Sequence, residues 1–197
     1  MINLFKGGEG ILFMNVKEKM RLGEMYCGFD SELVKARENA KKITRLYNAT
    51  TDEERDYREL LIKKLLGKNG SNTFIEPNFR CEFGYNIEVG DNFFANFDCI
   101  ILDCGKVAIG DNVWLGPRVQ IYSVNHVKEP QARREGYEIA APVNIADNVW
   151  VGGNTVINMG VSIGENSIIG SGSVVTKDIP PNVVAVGNPC RVIKTID

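Results

Sequence analysis

The stretch NVWVGGNTVINMGVSIGENSIIGSGSVV, residues 148–175, contains a repeat with a period of six. Small or apolar residues return at every sixth position, and a second apolar series follows each of them by two residues. The first series is Val149, Thr155, Val161, Ser167 and Ser173, and the second is Val151, Ile157, Ile163, Ile169 and Val175. A hexapeptide period is typical of a parallel β-helix, in which each hexad forms one side of a coil.

The same period runs upstream of this stretch with two interruptions. It begins at Ile75, slips by two residues after Cys99, resumes at Val107 and, after a longer interruption, returns at Val143. Turn triplets such as GDN at 110–112 separate the hexads, and Gly, Asn and Asp tolerate the tight conformations of a coil corner. Fifteen hexads, at three per turn, predict an all-β solenoid, a left-handed parallel β-helix of about five coils. An antiparallel sandwich would instead show longer alternating strands without this repeat.

The amino-terminal part of the chain has a helical pattern. Apolar residues recur at intervals of three and four between Leu33 and Leu46. Thr51 followed by Glu54 predicts a capping box that opens a third helix. Met14 as the native start is a hypothesis that the intact mass would test. We divide the chain into a leader or extended start at 1–14, an amino-terminal helical segment at 15–70 and a β-helix domain at 71–197 with a protruding loop at 124–141.

Composition and charge exclude several classes of partner. The formal net charge of -2 and the pI near 5.6 provide no basic field for nucleic acid or anionic lipid. The apolar run at residues 11–14 is too short for a membrane span or a secretory signal. The five cysteines form no CxxC pair, so we interpret them as reduced, mostly structural thiols of a cytosolic protein. A short prism with exposed faces favours burial by association, and its three sides suggest a symmetric trimer.

Three segments resemble one family of enzymes. They are IEPNFRCEFGYNIEVGDNFFANFD at 75–98, the helical leader KEKMRLGEMY at 17–26, and the segment at 148–193 that ends in VVTKDIPPNVVAVGNPCRVI. They resemble the maltose and galactoside O-acetyltransferases, which are hexapeptide-repeat acyltransferases, and the similarity is greater to the maltose branch. The resemblance implies a homotrimer with active sites between neighbouring β-helices. It also implies acetyl-CoA as the co-substrate and a hydroxyl of a maltose- or glucose-like sugar as the acceptor.

His126 is the only histidine of the chain and stands in IYSVNHVKEP at 121–130, where the hexad repeat breaks off. By itself, a single histidine is more often an ordinary surface residue. A metal site is disfavoured because zinc requires three or four ligands, so we expect no metal. The resemblance identifies His126 as the catalytic residue. A hydroxyl is a weak nucleophile until a base takes its proton, and the imidazole is suited to that task near neutral pH.

The resemblance also suggests residues that bind the acceptor. These candidates are Asn96, Glu82, Asp103 and Asp30. Carboxylates accept hydrogen bonds from sugar hydroxyls, whereas the alternative role of Asn96 is that of a solenoid corner or a member of an asparagine ladder. The galactoside branch has its amino-terminal aspartate where this chain has Gly28, so Asp30 matches that position only loosely. The galactoside branch also has an acid where this chain has Cys104, which disfavours a galactoside as the acceptor.

For acetyl-CoA the resemblance points to six residues: Gly153, Ser171, Thr176, Lys177, Arg191 and Lys194. Lys177 and Arg191 lie near the carboxyl end of the solenoid, where the nucleotide of an extended cofactor would reach. Small residues permit backbone approach to the pantetheine arm, and cations can pair with phosphates. The alternative for the cations is an ordinary solvated surface. The long charged insertion after His126 is expected to act as a lid over the cleft.

Two other functions compete with sugar O-acetylation. The first is a trimeric solenoid that serves as a scaffold without turnover. The second is acyl transfer to an amine, as in antibiotic-modifying enzymes, because the same base could serve that reaction. Release of CoA thiol on mixing acetyl-CoA with maltose or glucose would separate the enzyme from the scaffold.

Overall fold

The computed structural model describes residues 14–196, so most of the predicted leader lies outside the described residues. The chain begins with helix α1 (Val16–Leu22), strand β1 (Tyr26–Cys27), helix α2 (Ser31–Asn48) and helix α3 (Arg55–Leu65). No helix in the described part combines the length and apolar character needed to cross a membrane.

Local capping interactions set the ends of these helices. Asn15 and Glu18 form a reciprocal capping box on α1, and Gly23 ends that helix with a φ of 72°. The predicted capping box of α3 is wrong in one respect. Glu54 accepts hydrogen bonds from Thr51, but the helix begins only at Arg55, so the pair closes a turn before the helix.

The solenoid begins at Lys68, slightly before the predicted boundary at residue 71. In chain order its first strands are β2 (Lys68–Asn69), β3 (Phe74–Ile75), β4 (Arg80–Cys81), β5 (Ile87–Val89), β6 (Phe94–Ala95), β7 (Ile100–Leu102), β8 (Val107–Ile109), β9 (Trp114–Leu115) and β10 (Gln120–Tyr122). The insertion then contributes β11 (Val124–His126), helix α4 (Pro130–Arg134) and β12 (Tyr137–Ala140). The remaining strands are β13 (Val143–Ile145), β14 (Trp150–Val151), β15 (Val156–Ile157), β16 (Ser162–Ile163), β17 (Ile168–Ile169), β18 (Val174–Val175), β19 (Val183–Val186) and β20 (Arg191–Thr195).

These strands stack into three faces of a prism. The first face has the order β2-β5-β8-β13-β16, the second β3-β6-β9-β14-β17-β19-β20, and the third β4-β7-β10-β15-β18. Every pairing within the faces is parallel except that of β19 with β20. The fold is the predicted left-handed β-helix. The second face holds six parallel strands rather than five, because β19 continues the stack beyond the last predicted hexad at Ile179.

The hexad pattern corresponds to the interior of the prism. The inward residues of the repeat are buried, including the polar Thr155, Ser167 and Ser173, which are fully enclosed. The Oγ atoms of the two serines donate hydrogen bonds to main-chain carbonyls, so their burial leaves no hydroxyl unsatisfied. The repeat therefore predicted the core correctly.

One corner of the prism is built from a ladder of asparagines. Four residues of this corner have a φ between 55° and 60°: Asn92, Asn112, Asn148 and Asn166. Their side-chain amides donate from coil to coil, at 3.0 Å from Asn92 to Asn112 and 3.2 Å from Asn112 to Asn148. Asparagine suits this corner because it tolerates the left-handed conformation and can bond its neighbours.

The insertion is an ordered hairpin and not a structureless loop. Strands β11 and β12 pair antiparallel, and β1 from the amino-terminal segment pairs with the other edge of β12. Met20, Tyr26, Leu33, Cys104 and Ala140 lie in an apolar cluster that is separate from the prism core. This cluster packs the helical segment and the hairpin against one edge of the solenoid.

Candidate active site

His126 lies at the end of β11, where the hairpin leaves the prism. Its side chain is 60% exposed and faces Glu138 on β12, with 3.9 Å between the imidazole Nδ1 and the carboxylate Oε1. That distance is longer than a hydrogen bond, although such contacts commonly shorten when a substrate binds. The imidazole is therefore open to an incoming substrate and adjacent to a carboxylate.

Glu82 is held near this hairpin by Arg37 of α2. The guanidinium Nε donates to Oε1 of Glu82, and Nη2 donates to the carbonyl oxygen of Gly28 at 3.0 Å. The side chain of Glu82 remains 23% exposed, so one face of its carboxylate is accessible. Its predicted contact with the acceptor is compatible with this geometry and stays a prediction.

Asp103 has a different position from the one its sequence suggested. The residue is fully buried, and its carboxylate accepts hydrogen bonds from the backbone N–H groups of Glu82, Phe83 and Asn86 at 3.0, 2.8 and 3.2 Å. Burial raises the pKa of the Asp103 carboxyl, and backbone N–H groups oppose that shift. A direct bond to an acceptor is not available to a group so enclosed, which corrects the expectation. Asp103 fixes the corner that carries Glu82.

Asp30 serves as the N-cap of α2. Its Oδ1 accepts a hydrogen bond of 2.8 Å from the backbone N–H of Glu32, which satisfies one of the free donors at the start of the helix. The carboxylate is partly exposed. Its predicted role toward an acceptor remains a prediction beside this local one.

The other predicted residues lie along two corners of the prism, one on each side of the third face. Asn96, Gly153 and Ser171 follow strands of the second face, at the corner that leads to the third. Glu82 and Thr176 follow strands of the third face, at the corner where the hairpin also leaves. Lys177 is exposed immediately after Thr176. Within one chain, Asn96 and His126 therefore lie at opposite edges of the third face.

Close packing explains part of the corner that carries Gly153. A Cβ on Gly153 would lie 3.0 Å from the carbonyl oxygen of Pro117 in the preceding coil, so a larger residue would push the coils apart. The side chain of Ser171 is exposed beside it. Packing between coils therefore requires a glycine at position 153, and its predicted role toward acetyl-CoA stays a prediction.

Arg191 and Lys194 lie on β20, which pairs antiparallel with β19 at the carboxyl end of the second face. Both residues are exposed, and Nη1 of Arg191 donates to the carbonyl oxygen of Cys190 at 2.7 Å. Their charges are therefore accessible to an anion at that end of the prism.

The four buried cysteines do not resemble nucleophiles. Cys81, Cys99 and Cys190 are buried in the core, as their positions in the repeat predicted for the first two. Cys104 is buried near the hairpin, and burial raises the pKa of its thiol to about 12. A thiol with so high a pKa contains almost no thiolate at neutral pH, so it is a poor nucleophile. Among residues 14–196 there is no group of three or more acidic, histidine or cysteine side chains able to hold a metal ion.

Sequence reasoning missed three residues around His126. Glu138 faces the imidazole, Tyr26 donates to Glu138, and Arg37 holds Glu82. Only the alternation of side chains in YEIA at 137–140 hinted at a strand, and nothing in the sequence gave its register.

Two family descriptions match separate parts of the chain. Residues 19–70 match the maltose acetyltransferase hexapeptide capping motif, and residues 142–177 match the bacterial transferase hexapeptide of six repeats. The parallel coils and these matches define a hexapeptide-repeat acetyltransferase.

Known proteins narrow this class. A maltose O-acetyltransferase from Clostridium difficile 630 has a similar structure with a TM-score of 0.91, at 55% identity over 93% of this chain and 98% of the other. An acetyltransferase of Vibrio cholerae, solved with acetyl coenzyme A, gives a TM-score of 0.86 at 36% identity over 93% of this chain and the whole of the other. The galactoside O-acetyltransferase of Escherichia coli K12 is 42% identical over 93% of this chain and 91% of its own length. The chain belongs to the maltose/galactoside O-acetyltransferase family and is an acyltransferase.

Proposed function

We propose that this protein transfers the acetyl group of acetyl-CoA to a hydroxyl of a maltose- or glucose-like sugar. The observation that carries the proposal is the position of His126, an exposed imidazole on an ordered hairpin that leaves the prism at the same corner as Glu82. The 55% identity to a maltose O-acetyltransferase favours the maltose branch, as does Cys104. A related structure that contains acetyl coenzyme A supports the choice of donor.

In the proposed mechanism, His126 acts first as a base and then as an acid. It takes the proton of the acceptor hydroxyl as the oxygen attacks the thioester carbonyl carbon. The carbonyl oxygen becomes an oxyanion, which backbone N–H groups of the cleft stabilise. The carbon–sulfur bond then breaks, the ester remains on the sugar, and the CoA thiolate takes the proton from His126.

The proposed binding residues divide between the two substrates. Glu82, Asn96 and Asp30 would hold the acceptor through hydrogen bonds to its hydroxyls, while Asp103 supports Glu82 from within. The co-substrate would follow the corner that carries Gly153 and Ser171 and meet the exposed cations at its nucleotide end. These donor-side residues are Gly153, Ser171, Thr176, Lys177, Arg191 and Lys194.

The active site is proposed to lie between subunits of a homotrimer. Asn96 and His126 lie at opposite edges of the third face, so packing one prism against the next would bring Asn96 of one subunit towards His126 of its neighbour. A cytoplasmic location is part of the same proposal, because all five cysteines are free thiols and a reducing compartment keeps them so.

Replacing the base tests the proposal directly. We expect His126→Ala to lower kcat by about 10²- to 10⁴-fold, the usual contribution of a positioned base, in an assay of CoA thiol released from acetyl-CoA with maltose or glucose. Because the side chain is 60% exposed, the melting temperature should not change. Lys42→Ala, an exposed change on α2, is the control.

Three outcomes of that experiment have different meanings. Wild-type turnover in the His126→Ala variant would exclude the imidazole as the base. Release of CoA only with amino sugars or other amines would replace the hydroxyl acceptor with an amine. No release from the wild-type protein over a broad panel of sugars and amines would favour a scaffold without turnover.

A further inference from the structure

The three-stranded sheet beside the prism places three side chains in one row. Tyr26 of β1 is the direct partner of Glu138 on β12, and Glu138 is in turn the direct partner of His126 on β11. Directly opposed residues of antiparallel strands project from the same side of a sheet, with Cβ atoms about 5 Å apart. The register therefore brings the tyrosine, the carboxylate and the imidazole together.

Tyr26 occupies one oxygen of Glu138 and leaves the other free. The phenol donates a hydrogen bond of 2.9 Å to Oε2, whereas Oε1 is the oxygen that lies 3.9 Å from Nδ1 of His126. Tyr26 is buried, and burial raises its pKa well above the usual value, with Cys104 and Glu138 adding to the shift. The phenol consequently stays protonated and can act only as a donor to the carboxylate.

Gly28 provides the space that the carboxylate fills. A Cβ on Gly28 would lie 3.1 Å from Cδ and 3.2 Å from both oxygens of Glu138, closer than ordinary contact. The backbone of Gly28 is itself fixed, because its carbonyl accepts from Arg37 at 3.0 Å and its N–H donates to Gly136 at 2.8 Å. Glu138 is thus confined by Tyr26 on one side and by Gly28 on another, with its side chain only 20% exposed.

We infer that Glu138 is a positioning residue that holds His126 through Nδ1–H, and that Tyr26 fixes the carboxylate for this purpose. The inference rests on the proposed function of His126 as the base. A rotation of the exposed imidazole that shortens the gap by about 1 Å would form the hydrogen bond. With its proton on Nδ1, the imidazole has its lone pair on Nε2, where it can take the proton of an acceptor.

The amide variant of Glu138 tests this role because Tyr26 dictates its orientation. In Glu138→Gln the amide oxygen must accept from the phenol, so the NH2 group faces Nδ1 and forces the proton of His126 onto Nε2. That tautomer cannot act as the base. In the double variant Tyr26→Phe/Glu138→Gln the amide is free to turn, and the productive tautomer should return in part.

Nitrogen NMR can measure the tautomer without any assay of activity. His126 is the only histidine, so protein labelled with ¹⁵N-histidine gives one imidazole to assign. At a pH of about 8.5, where an ordinary imidazole is neutral, we expect the proton on Nδ1 in the wild type and on Nε2 in Glu138→Gln. The double variant should lie between them, and Glu165→Gln, an exposed change at a distant corner, should match the wild type.

The kinetic counterpart separates positioning from binding. We expect Glu138→Gln to lower kcat by about 10²- to 10⁴-fold with the KM for acetyl-CoA unchanged, and the double variant to recover at least about tenfold. The same tautomer in the wild type and Glu138→Gln would overturn the role of Glu138. A double variant identical to Glu138→Gln would overturn the role of Tyr26. An inactive wild type with the expected tautomers would refute the proposed function, and with it the catalytic purpose of this contact, while the positioning of the imidazole by Glu138 and Tyr26 would stand.

Discussion

At the scale of single residues, Asp103 holds one corner of the solenoid together. Its carboxylate accepts a hydrogen bond from the backbone N–H of Phe83, and it also accepts from the backbone N–H groups of Glu82 and Asn86. A buried backbone N–H without a partner costs about 1 to 3 kcal/mol, so removal of the Asp103 carboxylate should lower the free energy of unfolding.

We therefore expect Asp103→Ala to lower the free energy of unfolding by at least about 2 kcal/mol, because the N–H groups of Phe83 and Asn86 lose their acceptor. The N–H of Glu82 keeps a second acceptor, the carbonyl oxygen of Ile101 at 3.2 Å. Asp103→Asn should cost about half as much, since its amide oxygen replaces Oδ1 while its NH2 opposes the N–H of Asn86. Denaturant unfolding measures both values. Faster hydrogen exchange at the Phe83 amide should accompany them, and an Asp103→Ala protein as stable as the wild type would contradict the assignment.

The residues of the site differ in how far sequence could predict them. His126 drew attention as the single histidine at a break in the repeat, but its catalytic role came from the family resemblance and stays a prediction. The burial of Cys81 was predictable because it falls on the inward register. Asp103 was predicted to bind the acceptor but is buried. Sequence could not reveal this, because an aspartate can either bind an exposed ligand or accept hydrogen bonds from buried backbone N–H groups. Glu138 was missed because its partner strand is set by tertiary pairing, and sequence spacing within a hairpin that contains a helix does not reveal register.

At the scale of elements, the asparagines that recur at one corner of the prism stabilise the stacking of the coils. Asn112 combines a φ of 55° with hydrogen bonds to both neighbouring coils. Each ladder bond contributes about 1 kcal/mol, and the left-handed conformation costs a residue such as alanine about 1 to 2 kcal/mol.

We expect Asn112→Ala to lower the free energy of unfolding by about 2 to 4 kcal/mol, because the bonds are lost and the strain is added. Asn144→Ala is the matched control. Asn144 is exposed in β13 and makes one long side-chain hydrogen bond of 3.4 Å, so its loss should cost less than about 1 kcal/mol. If urea unfolding gave the same loss of free energy for both variants, the asparagine corner would not contribute more to stability than an ordinary surface asparagine.

Sequence patterns predicted the repeated elements of the solenoid but not the elements that occur once. The turn triplets and inward series predicted strands and corners because every coil repeats the same environment. The start of α3 was misplaced, since Thr51 and Glu54 have the spacing of a capping box while the backbone forms a separate turn. The hairpin strands β11 and β12 occur once, so no repetition reinforced their weak signal.

At the scale of the whole molecule, the second face displays an exposed aromatic row. Trp114 is the direct partner of Trp150 and of Phe94, and Phe94 stacks on Phe74 with 6.0 Å between ring centroids. Trp114 and Trp150 are 59% and 53% exposed in the single chain. Exposed aromatic surface of this extent is typical of an interface, and the proposed trimer would cover it.

We expect light scattering after gel filtration to give three times the chain mass of 21.9 kDa. Both tryptophans of the chain lie in the row, so their fluorescence should shift to longer wavelength when the assembly dissociates. Trp114→Glu should yield a monomer because it places a charge in the interface, and Asn144→Glu on the polar first face should not. A monomeric wild type, or a trimer with unshifted emission on dissociation, would exclude this row as the interface.

The pairing of Tyr26 with Glu138 has a consequence for biosynthesis. The two residues are 112 positions apart, and at about 5 to 20 residues per second a ribosome needs about 6 to 22 s to pass from one to the other. Coils of the prism can stack on one another during that time, because each contacts only its neighbours. The strand that carries Tyr26 must remain without its partner until Glu138 has emerged. The part of the molecule that holds the imidazole is therefore completed after the first coils, whatever the order in which those coils form.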